Sequence, residues 1–283
     1  MKNVMTMTAA AVCALALTAC GGGGSDGGSG NSLSRTDEGI WSNFSNGTVT
    51  NLMPNMMQAV ILNDGSFWGI AGQTGATPAT FCMQNILHGT ASVSGSSVSG
   101  SYTDSAFLGN GTYSGTVSAQ DSLNLKFNNP SDPLMSGLGG SFNMSHDSAY
   151  NQPASLSAIT GTYLNQVNSC FVNLPDGSNN NDYHIRPNLT ISGSNLTLNS
   201  DGSVIMTGSI APHGTAVNVF DVNLTTATTV IAYSMAGLFS GNDVPAGTVY
   251  KGILFQTSSG SLKNNTEMVV TSGGSAFFFM GKK

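Results

Sequence analysis

The chain has 283 residues, with 8 Lys and Arg against 14 Asp and Glu, a formal net charge of −6 and only 8% charged residues. Without a basic cluster, so few cations exclude nucleic-acid binding and polybasic lipid recognition. Gly, Ser, Thr and Asn are abundant, yet 40% of residues are hydrophobic, a balance that suits an exported, strand-rich folded chain rather than a disordered one.

At the start, Lys2 precedes an apolar core, Ala9 to Leu17, far below the roughly 20 residues that span a bilayer. Residues 1–19 therefore read as a secretory signal with a small residue before the cut. The signal ends in Leu17-Thr18-Ala19-Cys20. This stretch resembles the lipobox of bacterial lipoproteins, where a cysteine becomes the lipidated first residue. The resemblance implies lipidation of Cys20, palmitate included, and stable attachment to a membrane, because two or more acyl chains hold where one holds marginally. Gly21 stands where an Asp would retain such a protein in the inner membrane, which implies the outer membrane of a Gram-negative cell. Whether the body faces periplasm or exterior is open.

Residues 21–32 are almost wholly Gly and Ser. Such a segment behaves as a flexible coil with a reach of roughly 20 Å, so residues 20–35 read as a tether. Gly23-Gly24-Ser25-Asp26-Gly27 matches the G-x-S-x-G hydrolase pattern, but a nucleophile elbow needs a rigid strand-turn-helix that a glycine coil does not supply.

Beyond the tether, Gly39-Ile40-Trp41 opens a first strand series. Ala59 to Leu62 and Ser66 to Ile70 flank Asn63-Asp64-Gly65, a hairpin signal because glycine accepts the positive φ of such loops. Further strands are predicted near Ile86, Val98, Tyr113 and Leu123, the last alternating at Leu123, Leu125 and Phe127, with Ser141 to Met144 closing the set. Leu52 to Val60 has the composition for one helical turn, weakened by Pro54, and Asn128 to Gly140 reads as a long loop.

Ser148 to Pro153 marks a boundary, after which Gly161-Thr162-Tyr163 echoes the earlier Gly-x-aromatic opening. Alternation at Leu189/Ile191 and Leu196/Leu198, the turn at Asp201-Gly202, a long strand from Val217 to Leu224, and strands near Val230, Val249, Met268 and Ala276 to Met280 complete a second series. The expected fold is all-β: two tandem antiparallel barrel- or sandwich-like domains, residues 36–147 and 154–283, each with enough strands to close on itself.

Gly39-Ile40-Trp41 resembles the Gly-x-Trp of lipocalins. The lipobox, the glycine tether and the paired strand series together resemble small Gly-rich outer-membrane lipoproteins with one or two β-barrel domains. That family includes binders of host proteins, often with charged surfaces, whereas this chain carries few charges. No site residues carry over from either resemblance.

The chemistry available is sparse. Cys13 leaves with the signal and Cys20 takes lipid, so Cys82 and Cys170 are the expected disulfide in an oxidising compartment, worth roughly 4–5 kcal/mol if closed; two buried free thiols or an intermolecular pair are the alternatives. His88, His146, His184 and His213 are scattered without metal-ligand spacing. Asp176 to Asp182 is rich in oxygen ligands but would place Pro187 where a calcium loop needs a bidentate Glu. Met53, Met56 and Met57 suit core filling or a barrel cap. Trp41 and Trp68 are expected in the first core, and they are the candidates to line a ligand pocket. Phe277-Phe278-Phe279 resembles the aromatic last strand of a membrane barrel, but the polar strands elsewhere lack the required apolar band.

The functional expectation is a lipid-anchored envelope module that binds a protein or small hydrophobic ligand. It would do so without catalysis and without cofactor, metal or nucleic acid. A lipocalin-like carrier is the alternative, and a hydrolase the more distant one.

Overall fold

Two devices generate nearly every strand of this chain: side chains that alternate between two faces, and tight turns in which glycine supplies a positive φ. The computed structural model describes residues 35–44, 56–74, 81–105, 109–129, 141–166, 187–233, 241–258, 263–273 and 275–283. The lipobox, the tether up to residue 34, Met53, Cys170, the Asp176–Asp182 loop, His184 and nearly all of the 128–140 loop lie outside them.

The first series is an eight-stranded meander: β1 (Gly39–Phe44), β2 (Met56–Ile61), β3 (Ser66–Thr74), β4 (Phe81–Ser94), β5 (Ser97–Asp104), β6 (Gly109–Ser118), β7 (Ser122–Asn128) and β8 (Ser141–His146). Each strand pairs antiparallel with the next, and β8 returns to β1 through Trp41↔His146 and Ser42↔Ser145, closing a barrel. The second series repeats the plan with β9 (Gly161–Asn165), β10 (Asn188–Ser192), β11 (Asn195–Ser200), β12 (Ser203–Pro212) and β13 (Val219–Thr226). It continues with β16 (Val249–Gln256), β17 (Thr266–Ser272) and β18 (Ser275–Lys282), which pairs with β9 through Gly281↔Asn165. Between β13 and β16 the chain makes a separate two-stranded sheet, β14 (Val230–Tyr233) and β15 (Gly241–Val244). Of the two all-β alternatives, the halves form closed barrels, whose walls present no edge strand to recruit another chain.

Three expectations are corrected. Residues 56–60 of the helical-turn candidate lie in strand β2, because both faces of that segment are buried, in apolar surroundings save for Gln58. The long strand begins at Val219, and Val217 precedes it as a buried loop residue. The strand near Val230 belongs to the separate hairpin and not to a barrel wall.

Turn chemistry explains register. Ser200 faces Ser203 across a two-residue loop in which Asp201 has φ 51 and Gly202 φ 80, the doubly positive pattern that twists with the flanking strands. Replacing Gly202 with Ala should cost about 1–2 kcal/mol, since an L-residue resists that conformation. A urea melt should show a lowered midpoint at unchanged slope.

Eight strands enclose just enough room for side chains. In the first barrel, Trp41, Phe67, Tyr102, Tyr113 and Phe127 occupy the interior, with the Phe67 and Tyr113 rings 4.6 Å apart. In the second, Tyr163, Phe220, Tyr250, Leu254 and Phe279 do so. The barrels also close alike. Trp41 Nε1 donates to the Asp37 carbonyl at 2.9 Å, and Tyr163 OH donates to the Ile159 carbonyl at 2.6 Å, each four residues upstream. The chain then brings His146 edge-on to Trp41 at 5.0 Å and Lys283 Nζ over the Tyr163 ring at 5.3 Å. The Gly-x-aromatic echo thus has a structural counterpart.

A third cluster lies between the barrels. Ile40, Val60, Trp68 and Ile70 from the outer face of the first pack with Val219, Phe255, Val269 and Phe278 from the outer face of the second. Strands at this seam are apolar on both faces, so all six residues of β2 are buried, whereas β6 alternates buried and exposed away from it.

Candidate functional site

The two tryptophans part company. Trp41 faces the interior of the first barrel, while Trp68, in register with Val60 on β2 and His88 on β4, lies on its outside. The expectation that both pack in the first core is therefore corrected for Trp68, and they line no common pocket. The cause is the side-chain period of two: positions 41 and 68 fall on opposite faces of the wall.

Trp68 instead belongs to a groove of about 660 Å³ between the barrels. One wall is Leu62, Asp64, Ser66, Trp68 and His88 from the first barrel. The His88 ring stacks on Trp68 with centroids 3.9 Å apart, and burial pushes the imidazole pKa down. Burial works against ionisation of Asp64, yet the Ser66 backbone N–H at 2.7 Å, the Ser66 hydroxyl and nearby His213 hold its carboxyl below the usual range.

The facing wall comes from the outside of the second barrel. Register aligns Ser209 (β12), Asn223 (β13), Lys251 (β16) and Thr271 (β17) in one row across four adjacent strands. At the groove's end, His213 Nδ1 lies 2.7 Å from Asp221 Oδ1 and Nε2 lies 3.3 Å from Asn63 Oδ1, joining the two barrels. In a hydrolytic triad the second nitrogen would face a serine hydroxyl; here it faces a carboxamide. Among the described residues, no group of three or more His, Cys, Asp or Glu is arranged to hold a metal ion.

The other candidates are dispersed. His146 is on the first barrel's closing strand, its pKa lowered by burial although Asp147 opposes the shift. Met57 is in the first interior and Met56 in the seam. Cys82 is on β4 opposite Gln73, but its side chain, like Cys170, is outside the described set. Phe279 fills the second barrel and Phe278 the seam, so the aromatic run serves two packed faces. The outward positions of β5 to β7, such as Ser99, Ser114 and Lys126, are polar and exposed, unlike the band of a membrane barrel.

Behind the groove the seam holds a buried polar pair that the sequence reading missed. Gln58 Nε2 stands 3.5 Å from Glu267 Oε1, both residues essentially inaccessible. Burial pushes the Glu267 carboxyl up to about 8, with the Asp147 charge adding to the shift, while hydrogen bonds from Gln58 and Thr257 oppose it. Asp147 accepts from the Ser258 N–H at 2.9 Å and from the Ser258 hydroxyl, and Tyr150 OH donates to Glu38 at 2.9 Å. A polar residue beside an unbroken apolar run, as in Glu267-Met268-Val269-Val270, was the available signal. Comparison with known proteins returns no match: no family model, no curated protein and no solved structure.

Proposed function

We propose that this chain is a lipid-anchored lipoprotein of the outer membrane that acts as a non-catalytic binding module, with the inter-barrel groove as its binding surface. The observation that carries the groove is its construction: two barrels filled by their own side chains leave an aromatic-walled cleft outside both interiors, of a size typical of small-molecule sites. A carrier of the lipocalin type would hold its ligand in the lumen, which Trp41, Tyr102 and Tyr113 occupy in the first barrel and Tyr163 and Phe220 in the second. The anchor is supported by the Leu17-Thr18-Ala19-Cys20 stretch and the glycine tether that follows.

The two halves of this reading are tested separately. Replacing Cys20 with Ala should abolish incorporation of labelled palmitate and release the chain from the membrane fraction; labelling that persists in the variant would overturn the anchor. Protease shaving of whole cells reads which side the body faces. For the groove, Asn223→Trp should fill the cleft and eliminate capture of an envelope component by the full chain. Capture unchanged by that substitution would place binding elsewhere.

A further inference from the structure

The groove combines a buried apolar floor with an exposed polar rim. Leu62, Trp68 and Ile253 are buried beneath it. Ser209, Asn223 and Lys251 stand exposed and Thr271 half-buried along its wall. Among the described residues, these four side chains make no hydrogen bond or ion pair within the protein. Adjacent strands are roughly 4.8 Å apart, so the row offers hydroxyl, carboxamide, ammonium and hydroxyl at intervals on the scale of one pyranose ring.

Charge and topology narrow the occupant. Asp64 and Asp221 oppose a single cation, Lys251, so a polyanion such as a nucleotide would meet net repulsion. An extended peptide binding through its main chain needs an unpaired strand edge, and both barrels are closed. An acyl chain needs a continuous enclosed apolar channel, whereas this cleft is open and its apolar lining is interrupted by Asp64, Ser66, Ser209 and Asp221. A sugar has what remains: apolar C–H faces for the floor, and hydroxyls that donate to carboxylates and accept from amide and ammonium groups. We propose that the groove binds a neutral, hydroxyl-rich ring, a sugar unit of a glycan, with its C–H face toward Trp68 and Ile253 and its hydroxyls on the Asn223–Lys251 row. This deepens the binding-module reading above and rests on it.

The test uses the full chain against an array of neutral, sialylated and sulfated glycans, followed by calorimetric titration with free cellotriose, maltotriose and chitotriose. The array arm reports a surface-bound glycan and the titration a free oligosaccharide. Expected is binding confined to neutral glycans, weakened about tenfold by Asn223→Ala, the scale of one lost hydrogen bond, and abolished by Asn223→Trp. Ser99→Ala, on the outer face of β5, should leave it unchanged. Equal or tighter binding of sulfated glycans, or binding indifferent to both Asn223 variants, would overturn the proposal. If no glycan binds but the apolar dye N-phenyl-1-naphthylamine does, and Asn223→Trp blocks it, the groove stands and the sugar assignment falls. If neither binds, both readings fall.

Discussion

Glu267→Gln should leave stability near pH 5 little changed and raise it progressively above that, until the variant exceeds the parent by on the order of 4 kcal/mol near pH 9. The carboxyl is fully buried in the seam, where burial first and the Asp147 charge second raise it from 4.5 to about 8. A group whose folded value is raised contributes its stability below the unfolded value and loses it as pH rises through the folded one. The parent should therefore weaken between about pH 4.5 and 8, as ionisation in the unfolded chain outruns ionisation in the seam. Glutamine keeps the shape and a hydrogen-bonding partner for Gln58 but cannot ionise, so its stability should lack that slope. Urea melts from pH 5 to 9 check this. His88 and His146, whose values burial lowers, act at the acid end and are common to both proteins, so the difference between them isolates Glu267. Parallel curves over the whole range would show that the carboxyl reaches solvent.

Gly111→Ala should destabilise the first barrel through a clash with one aromatic ring. A Cβ there would stand 2.3 Å from Cζ of Tyr102, whose ring fills the space above that strand. Either the ring or the strand must move, and the ring is confined by Phe127 at 5.5 Å, edge-on. Overpacking of this kind costs about 1–3 kcal/mol, toward the upper end where neighbours are themselves packed. A double-mutant cycle with Tyr102→Leu gives the cleaner reading: the cost of Gly111→Ala should shrink once the ring is gone. An undiminished cost would mean that the damage comes from the backbone rather than from the tyrosine.

Much of the architecture was legible, for identifiable reasons. Alternation at Leu123, Leu125 and Phe127 marks a wall with one wet face, and the Asp-Gly pairs at 64–65 and 201–202 mark turns that admit almost no other geometry. Closure was not legible, because the β8–β1 and β18–β9 pairings depend on strand count and tilt, which no local pattern states. The β15 segment Gly-Asn-Asp-Val carries no apolar alternation and gave no strand signal. The groove was hidden for a related reason. Its residues come from positions 62 to 88 and 194 to 271, and nothing in either stretch announces that the outer faces meet. Continuous apolar runs such as Val60-Ile61-Leu62 and Met268-Val269-Val270 predict strands without saying what covers their outer faces. Their meaning is that the wall is dry on both sides, which places Trp68 outside the barrel it was assigned to fill.

That double dryness ties the fates of the two halves. A fragment ending after His146 would expose Ile40, Val60, Trp68 and Ile70, and the complementary fragment would expose its own greasy stripe, so each cut piece would clump in water. A chimaera that swapped one half for a foreign domain would have to carry a matching stripe with it, so for solubility the two halves count as one.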